Sequence, residues 1–156
     1  MNGEPRFIAD ASLAGLAKWL RILGFDTTVY SQEAGRSMMR QAQENSRILL
    51  TRRTDMMERQ FTGRMILLPE AEKLKQLAFV VFSLSLKIHP ENLFTICLSC
   101  NEKLSPVEPE EIRNIVPEYV YENCTYYNRC PKCGKIYWPG THVENTLKYL
   151  KDHGII

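Results

Sequence analysis

The chain has 156 residues, of which 44% are hydrophobic and 24% charged, with a formal net charge of +2. A chain of this length buries about two thirds of its unfolded surface, so a core forms without staples, and near-neutrality excludes the uniformly basic footprint of a dedicated nucleic-acid binder, leaving only locally clustered charge for such a role. The most apolar run, LAFVVFSLSLKI, is too short to span a bilayer, and the opening MNGEPRFIAD lacks the basic-then-apolar layout of a secretory leader, so a cytoplasmic protein without membrane association is expected.

In chain order, residues 6–9 (RFIA) predict a short strand, with Asp10 directly after it. Ser12 stands where it can cap a helix over residues 12–23, in which Leu13, Leu16, Ala17, Leu20 and Leu23 recur at helical spacing, and Gly24 suits the position just past the end. Residues 27–30 (TTVY) read as a second strand, and residues 34–44 as a helix with Met38, Met39 and Ala42 on one side. Residues 48–51 (ILLT) are a continuous apolar strand, the pattern of a sheet covered on both faces. A short helix over residues 56–61 and a fourth strand over 65–68 (MILL) follow, and Pro69 then opens a helix from Glu70 to about Phe82. This alternation predicts an α/β fold, a mostly parallel sheet flanked by helices. Near His89 and Pro90 the character changes: cysteine, proline and aromatics become dense, and Pro106, Pro109, Pro117, Pro131 and Pro139 are expected to break up any long element. Two domains are expected, residues 1–92 and 93–156.

The second region holds Cys97-x-x-Cys100 and Cys130-x-x-Cys133. A two-residue spacer lets both thiolates of a knuckle reach one ion, and two knuckles complete a tetrahedral four-sulfur site suited to structural Zn²⁺ with no open position. The spacer between the knuckles is longer than usual and is expected to hold a hairpin and loop. Lys132 and Lys135 are placed to offset the surplus negative charge. The competing readings are a redox dithiol and unliganded buried cysteines. Cys124, the odd one, reads as a small buried hydrophobe, and the four cysteines make His142 redundant as a ligand.

Carboxylates cluster at predicted strand ends in the first region. Asp10 follows the first strand, Glu33 lies in "SQE" after the second, and Asp55 in "RRTD" after the third. Ligands of open α/β sheets bind outside the carboxyl ends of the strands. Asp10 and Asp55, with Glu33, can there share a Mg²⁺ or Mn²⁺ ion that generates hydroxide and neutralises a phosphodiester. Arg52, Arg53, Lys18 and Arg21 could contact phosphates around that cleft.

At "FIADASLAGLAKWLRILGFDT", "RILLTRRTD", "CLSCNEKLSPVEPEEI" and "VPEYVYENCTYYNRCPKCGKIYWPGTH" the chain resembles the Mut-seven C-terminal RNase domain family, a PIN-like nuclease fold with an appended zinc ribbon. The resemblance covers nearly the whole chain and implies metal-dependent endoribonuclease activity on RNA, with acidic residues clustered at strand ends. Asp10 matches the first of these. The family tends to open its second helix with Asp, where this chain reads SQEAGRSMM; Glu33 is the nearest carboxylate. The family pattern after the third strand is commonly Thr-Arg-Asp, where this chain has Thr51, Arg52 and Arg53, with Asp55 two places later. An arginine at a ligand position repels a cation. Two readings therefore stand beside each other: a divalent-metal-dependent endoribonuclease, in which Thr51 and Arg52 would orient phosphates or water, and a non-catalytic RNA- or ribonucleoprotein-binding protein with a degenerate nuclease site. In the second, Tyr119, Tyr121, Tyr126, Tyr127, Tyr137 and Trp138 would offer a contact surface. A zinc-stapled protein–protein adaptor is a third. PIN-like folds often form homodimers, and the apolar face of the 12–23 helix is core or interface.

Overall fold

The structure is a computed structural model that describes residues 3–69 and 71–156. Two compact units divide the chain, Met1–Phe94 and Thr95–Ile156.

The first unit is built on a four-stranded parallel sheet of β1 (Phe7–Asp10), β2 (Thr27–Tyr30), β3 (Ile48–Thr51) and β4 (Met65–Leu67), in the order β2-β1-β3-β4. β1 and β3 are buried along their whole length, as the ILLT pattern requires of strands covered on both faces. Three helices provide the cover: α1 (Ala14–Ile22), α2 (Arg36–Glu44) and α3 (Lys73–Ser83). The chain steps from β1 outward to β2 and then back across β1 to β3. Right-handed crossovers therefore put α1 and α2 on opposite faces. Ile8 and Leu49 share a cluster with Met38, Met39 and Ala42 of α2. Phe7, of opposite parity on β1, meets Phe25 edge-on, with ring centroids 6.0 Å apart. On α1's side of the sheet, α1 packs against α3.

Several boundaries differ from the expected ones for local reasons. The residue that caps the turn after β1 is Asp10, not Ser12: its carboxylate accepts from the Ser12 amide, and a 3₁₀ turn (Ala11–Leu13) precedes α1. The expected 56–61 helix is a 3₁₀ segment, Thr54–Glu58. Helix α3 starts at Lys73 rather than beside Pro69, because Glu72 caps it by accepting from the Leu74 and Lys75 amides; Glu70 lies outside the described residues. Gly24 ends α1 at φ 94°, where a Cβ would stand 2.4 Å from the Asn92 carbonyl oxygen.

The second unit carries an antiparallel sheet of β5 (Ser105–Val107), β6 (Tyr127–Arg129) and β7 (Ile136–Tyr137) in the order β5-β6-β7. The spacer between the knuckles is more than a hairpin and loop: β5 is followed by α4 (Pro109–Ile112) and α5 (Glu118–Asn123) before β6. Ile112, Val116, Val120, Tyr127 and Ile136 form its core. The expectation that prolines break every long element here is corrected by α6 (Thr141–Asp152). Pro139 stands before its first turn, where a proline breaks nothing.

Candidate active edge and metal centre

In the parallel sheet the strand order reverses beside β1, between β1 and β3, which makes the carboxyl ends of these two strands the natural ligand crevice. Asp10 and Thr51 are the last residues of those strands, and both are buried. Asp10 is 4% exposed, and a buried carboxylate must be paired. Oδ1 accepts from the Ser12 amide at 3.0 Å and from the Ser12 hydroxyl. Oδ2 accepts from Thr51 Oγ1 at 2.7 Å and from the Arg52 amide at 3.3 Å. Thr51 Oγ1 in turn accepts from the Arg53 amide at 3.0 Å. The end of β3 is thus stitched to the end of β1 through one carboxylate.

The other two acidic residues are gathered elsewhere, by Arg53. Its Nε and Nη2 donate to the two oxygens of Asp55 at 3.0 and 2.8 Å. Its Nη1 donates to Glu33 Oε1 at 3.3 Å and to the Ala34 carbonyl at 3.0 Å. This planar fork holds the Asp55 carboxyl below the usual carboxylate range, chiefly by direct hydrogen bonding, and raises the guanidinium in return. Among the described residues, Asp10, Glu33 and Asp55 do not form a group whose oxygens converge as ligands of one ion. As arranged, the carboxylates do not fit a shared Mg²⁺ or Mn²⁺: Asp10 is spent on four protein donors, and Asp55 and Glu33 on a cation the chain already owns. Arg52 is exposed at this edge. Arg21 is not part of it: it is buried, and its Nε donates to the Thr27 carbonyl at 2.9 Å.

In the second unit, one sulfur from each of Cys97, Cys100, Cys130 and Cys133 lies within 4.8 Å of the others. Tetrahedral Zn–S bonds of about 2.3 Å put the sulfurs about 3.8 Å apart; the Cys97 and Cys133 sulfurs are 3.8 Å apart. The two knuckles repeat one another. The Cys97 amide donates to the Glu102 carbonyl and the Asn101 amide back to Cys97; the Cys130 amide donates to Lys135 and the Gly134 amide back to Cys130. Each turn closes on a positive φ, 61° at Asn101 and 78° at Gly134. The donor set therefore fits a closed zinc centre that braces structure.

Around that centre, the Tyr137 hydroxyl lies 3.3 Å from the Cys97 sulfur and accepts from the Leu98 amide at 3.1 Å. Burial works against a Cys97 thiolate, but the Tyr137 hydroxyl, the Cys100 and Ser99 amides and Cys130 outweigh it and bring the group to about 6. Cys100 is pushed up to about 12, first by its contact with Cys133 and then by burial. Lys135 Nζ sits 5.3 Å from the Tyr137 ring centre, a cation beside the thiolate cluster. Tyr137 is thereby committed to the metal centre rather than to base stacking. Of the other aromatics, Tyr127 belongs to the core cluster, Tyr121 and Trp138 pack against it, and Tyr119 and Tyr126 are exposed. Cys124 packs at that core, its thiol directed at the Pro139 carbonyl, and His142 meets the Trp138 ring edge-on.

Two contacts escape the reading by sequence, which gives Ser12 a helix-capping role and Arg53 a phosphate-contact role: that of Ser12 with Asp10 and that of Arg53 with Asp55 and Glu33. Ser12 carries the signal of an Asp-x-Ser turn, in which the first side chain binds the third residue's backbone. The bridging by Arg53 has no such signal, since the direction of its side chain depends on the fold.

The two units together are an α/β domain with a buried aspartate at its switch point and a domain whose four cysteines are placed to hold a metal. The family model of the Mut7-C RNAse domain matches residues 5–150, and the chain belongs to that family. Neither a curated protein nor a solved structure matches it. Among the described residues no helix is long and apolar enough to cross a membrane.

Proposed function

We propose that this protein acts on RNA at the carboxyl edge of β1 and β3, as a ribonuclease-family member organised as a PIN-like domain over residues 1–92 and a zinc-ribbon module over residues 93–156. The observation that carries this reading is Asp10, buried at the strand-order reversal and bonded to Thr51 on the neighbouring strand. The family supplies the substrate class. Exposed Arg52 supplies a cation for phosphate at that edge. Four cysteines gathered as one ligand set rather than paired in disulfides support a cytoplasmic setting.

Two outcomes of RNA binding are carried forward. In the first, the protein is a divalent-metal-dependent endoribonuclease, with Asp10, Asp55 and Glu33 recruiting Mg²⁺ or Mn²⁺ and Thr51 and Arg52 orienting phosphate. In the second, it holds RNA without cutting it. The clamp of Arg53 on Asp55 and Glu33 favours the second. The test is to incubate zinc-loaded protein with mixed RNAs and Mn²⁺ or Mg²⁺, beside Asp10→Asn. Retention of intact RNA by both forms supports the binding reading. Cleavage by the wild type that Asp10→Asn abolishes establishes the endoribonuclease. Absence of both retention and cleavage at low salt removes the RNA assignment.

A further inference from the structure

We infer that Arg53 is the resident cation of this edge: its guanidinium stands among the carboxylates that a divalent ion would need, so the wild-type site recruits neither Mg²⁺ nor Mn²⁺. The inference rests on reading the β1–β3 edge as the functional one.

Four of the guanidinium N–H bonds are placed on the site itself, two on Asp55, one on Glu33 and one on the Ala34 carbonyl. The backbone is fixed as well, because the Arg53 amide is held by Thr51 Oγ1, one hydrogen bond away from Asp10. Part-exposed ion pairs are individually weak, so the exclusion does not rest on their strength. It rests on charge. When the pair opens, the guanidinium remains tethered beside the edge, where it offsets half the charge of Asp55 and Glu33 and opposes an incoming dication. A guanidinium also keeps its proton at any working pH, so acid or base cannot neutralise the block. Asp10 offers no alternative foothold, since both of its oxygens already accept hydrogen bonds from Ser12, Thr51 and Arg52.

The same geometry says how the block is reversed. A short carboxylate at position 53 would start from a backbone bonded to Thr51, next to Asp10, and would release Asp55 and Glu33 from their cation. The experiment titrates Mn²⁺ into zinc-loaded protein of residues 1–156 and follows the electron paramagnetic resonance signal of the free ion. The wild type is expected to show no saturable site. Arg53→Asp is expected to gain one, at least about tenfold tighter than any wild-type binding, and to lose it again when combined with Asp55→Asn, which removes the carboxylate that Arg53 holds through both oxygens. Should Arg53→Asp fail to fold by circular dichroism, Arg53→Gln, which removes only the charge, replaces it and is expected to bind Mn²⁺ measurably better than the wild type. Saturable Mn²⁺ binding by the wild type equal to that of the variant overturns the inference, as does the absence of any gain in both variants. The RNA reading fails on a different readout, the loss of RNA retention by the wild type at low salt, so the two failures are not confused.

Discussion

At the scale of single residues, Asp10, proposed to serve at the β1–β3 edge, also ties the two strand ends together. Thr51→Val keeps the side-chain volume but removes the hydroxyl that donates to Asp10 and accepts from the Arg53 amide. A buried carboxylate then loses a donor, and an amide loses its acceptor. The expected cost is about 1–3 kcal/mol, read as a lower urea midpoint at unchanged slope. Tyr137→Phe is the counterpart at the metal centre. It takes away only the oxygen that meets Cys97 and the Leu98 amide, and removal of such a supporting group is expected to weaken zinc binding about tenfold in competition with a chromogenic chelator. Sequence alone pointed to Asp10 and the four cysteines because residue type and spacing carry that signal, and to Thr51 through the family resemblance. It did not show that Arg53 turns toward Asp55 and Glu33. That depends on where β2 and β3 end relative to each other, which no local pattern encodes.

At the scale of elements, the strands were the most legible part. The chain positions of TTVY and ILLT match β2 and β3 residue for residue, because short β-branched and apolar runs between turn residues have few alternatives. Helix starts were less legible, since a cap is a side-chain event: Asp10 and Glu72 do the capping, at positions where proline and serine were the more visible signals. Helix α6 was obscured by the proline-rich stretch before it, although Val143, Leu147 and Leu150 recur at helical spacing within it. Gly24 was read correctly as the residue past α1, and the structure adds a second demand on it. Beyond its positive φ, a Cβ there meets the Asn92 backbone. Gly24→Ala is therefore expected to cost more than the roughly 1 kcal/mol of a left-handed alanine alone, measured as a fall in melting temperature. A loss no larger than that conformational penalty would mean that the Asn92 segment yields.

At the scale of the whole molecule, the two units differ in what stabilises them. The first buries a sheet on both faces; the second has a small core cluster, short strands and four cysteines placed to hold a metal. A unit this small needs a staple, and four thiolates converging from two knuckles provide one. Chelation is expected to unfold residues 95–156 while the parallel-sheet unit keeps its circular dichroism signal. Acid should act in the same direction, and the sign follows from the sulfurs. Without metal, Cys97 at about 6 is largely thiolate at neutral pH, whereas Cys100 at about 12 keeps its proton. Zinc must displace the Cys100 proton throughout the neutral range, so affinity rises with pH. As pH falls through about 6, Cys97 takes up a proton as well, and the decline in affinity steepens there. Zinc release to a competing chelator, followed from about pH 8 to about pH 5, is expected to increase throughout and to bend upward near the Cys97 value. A flat profile would show that the ion is held by groups other than these four sulfurs.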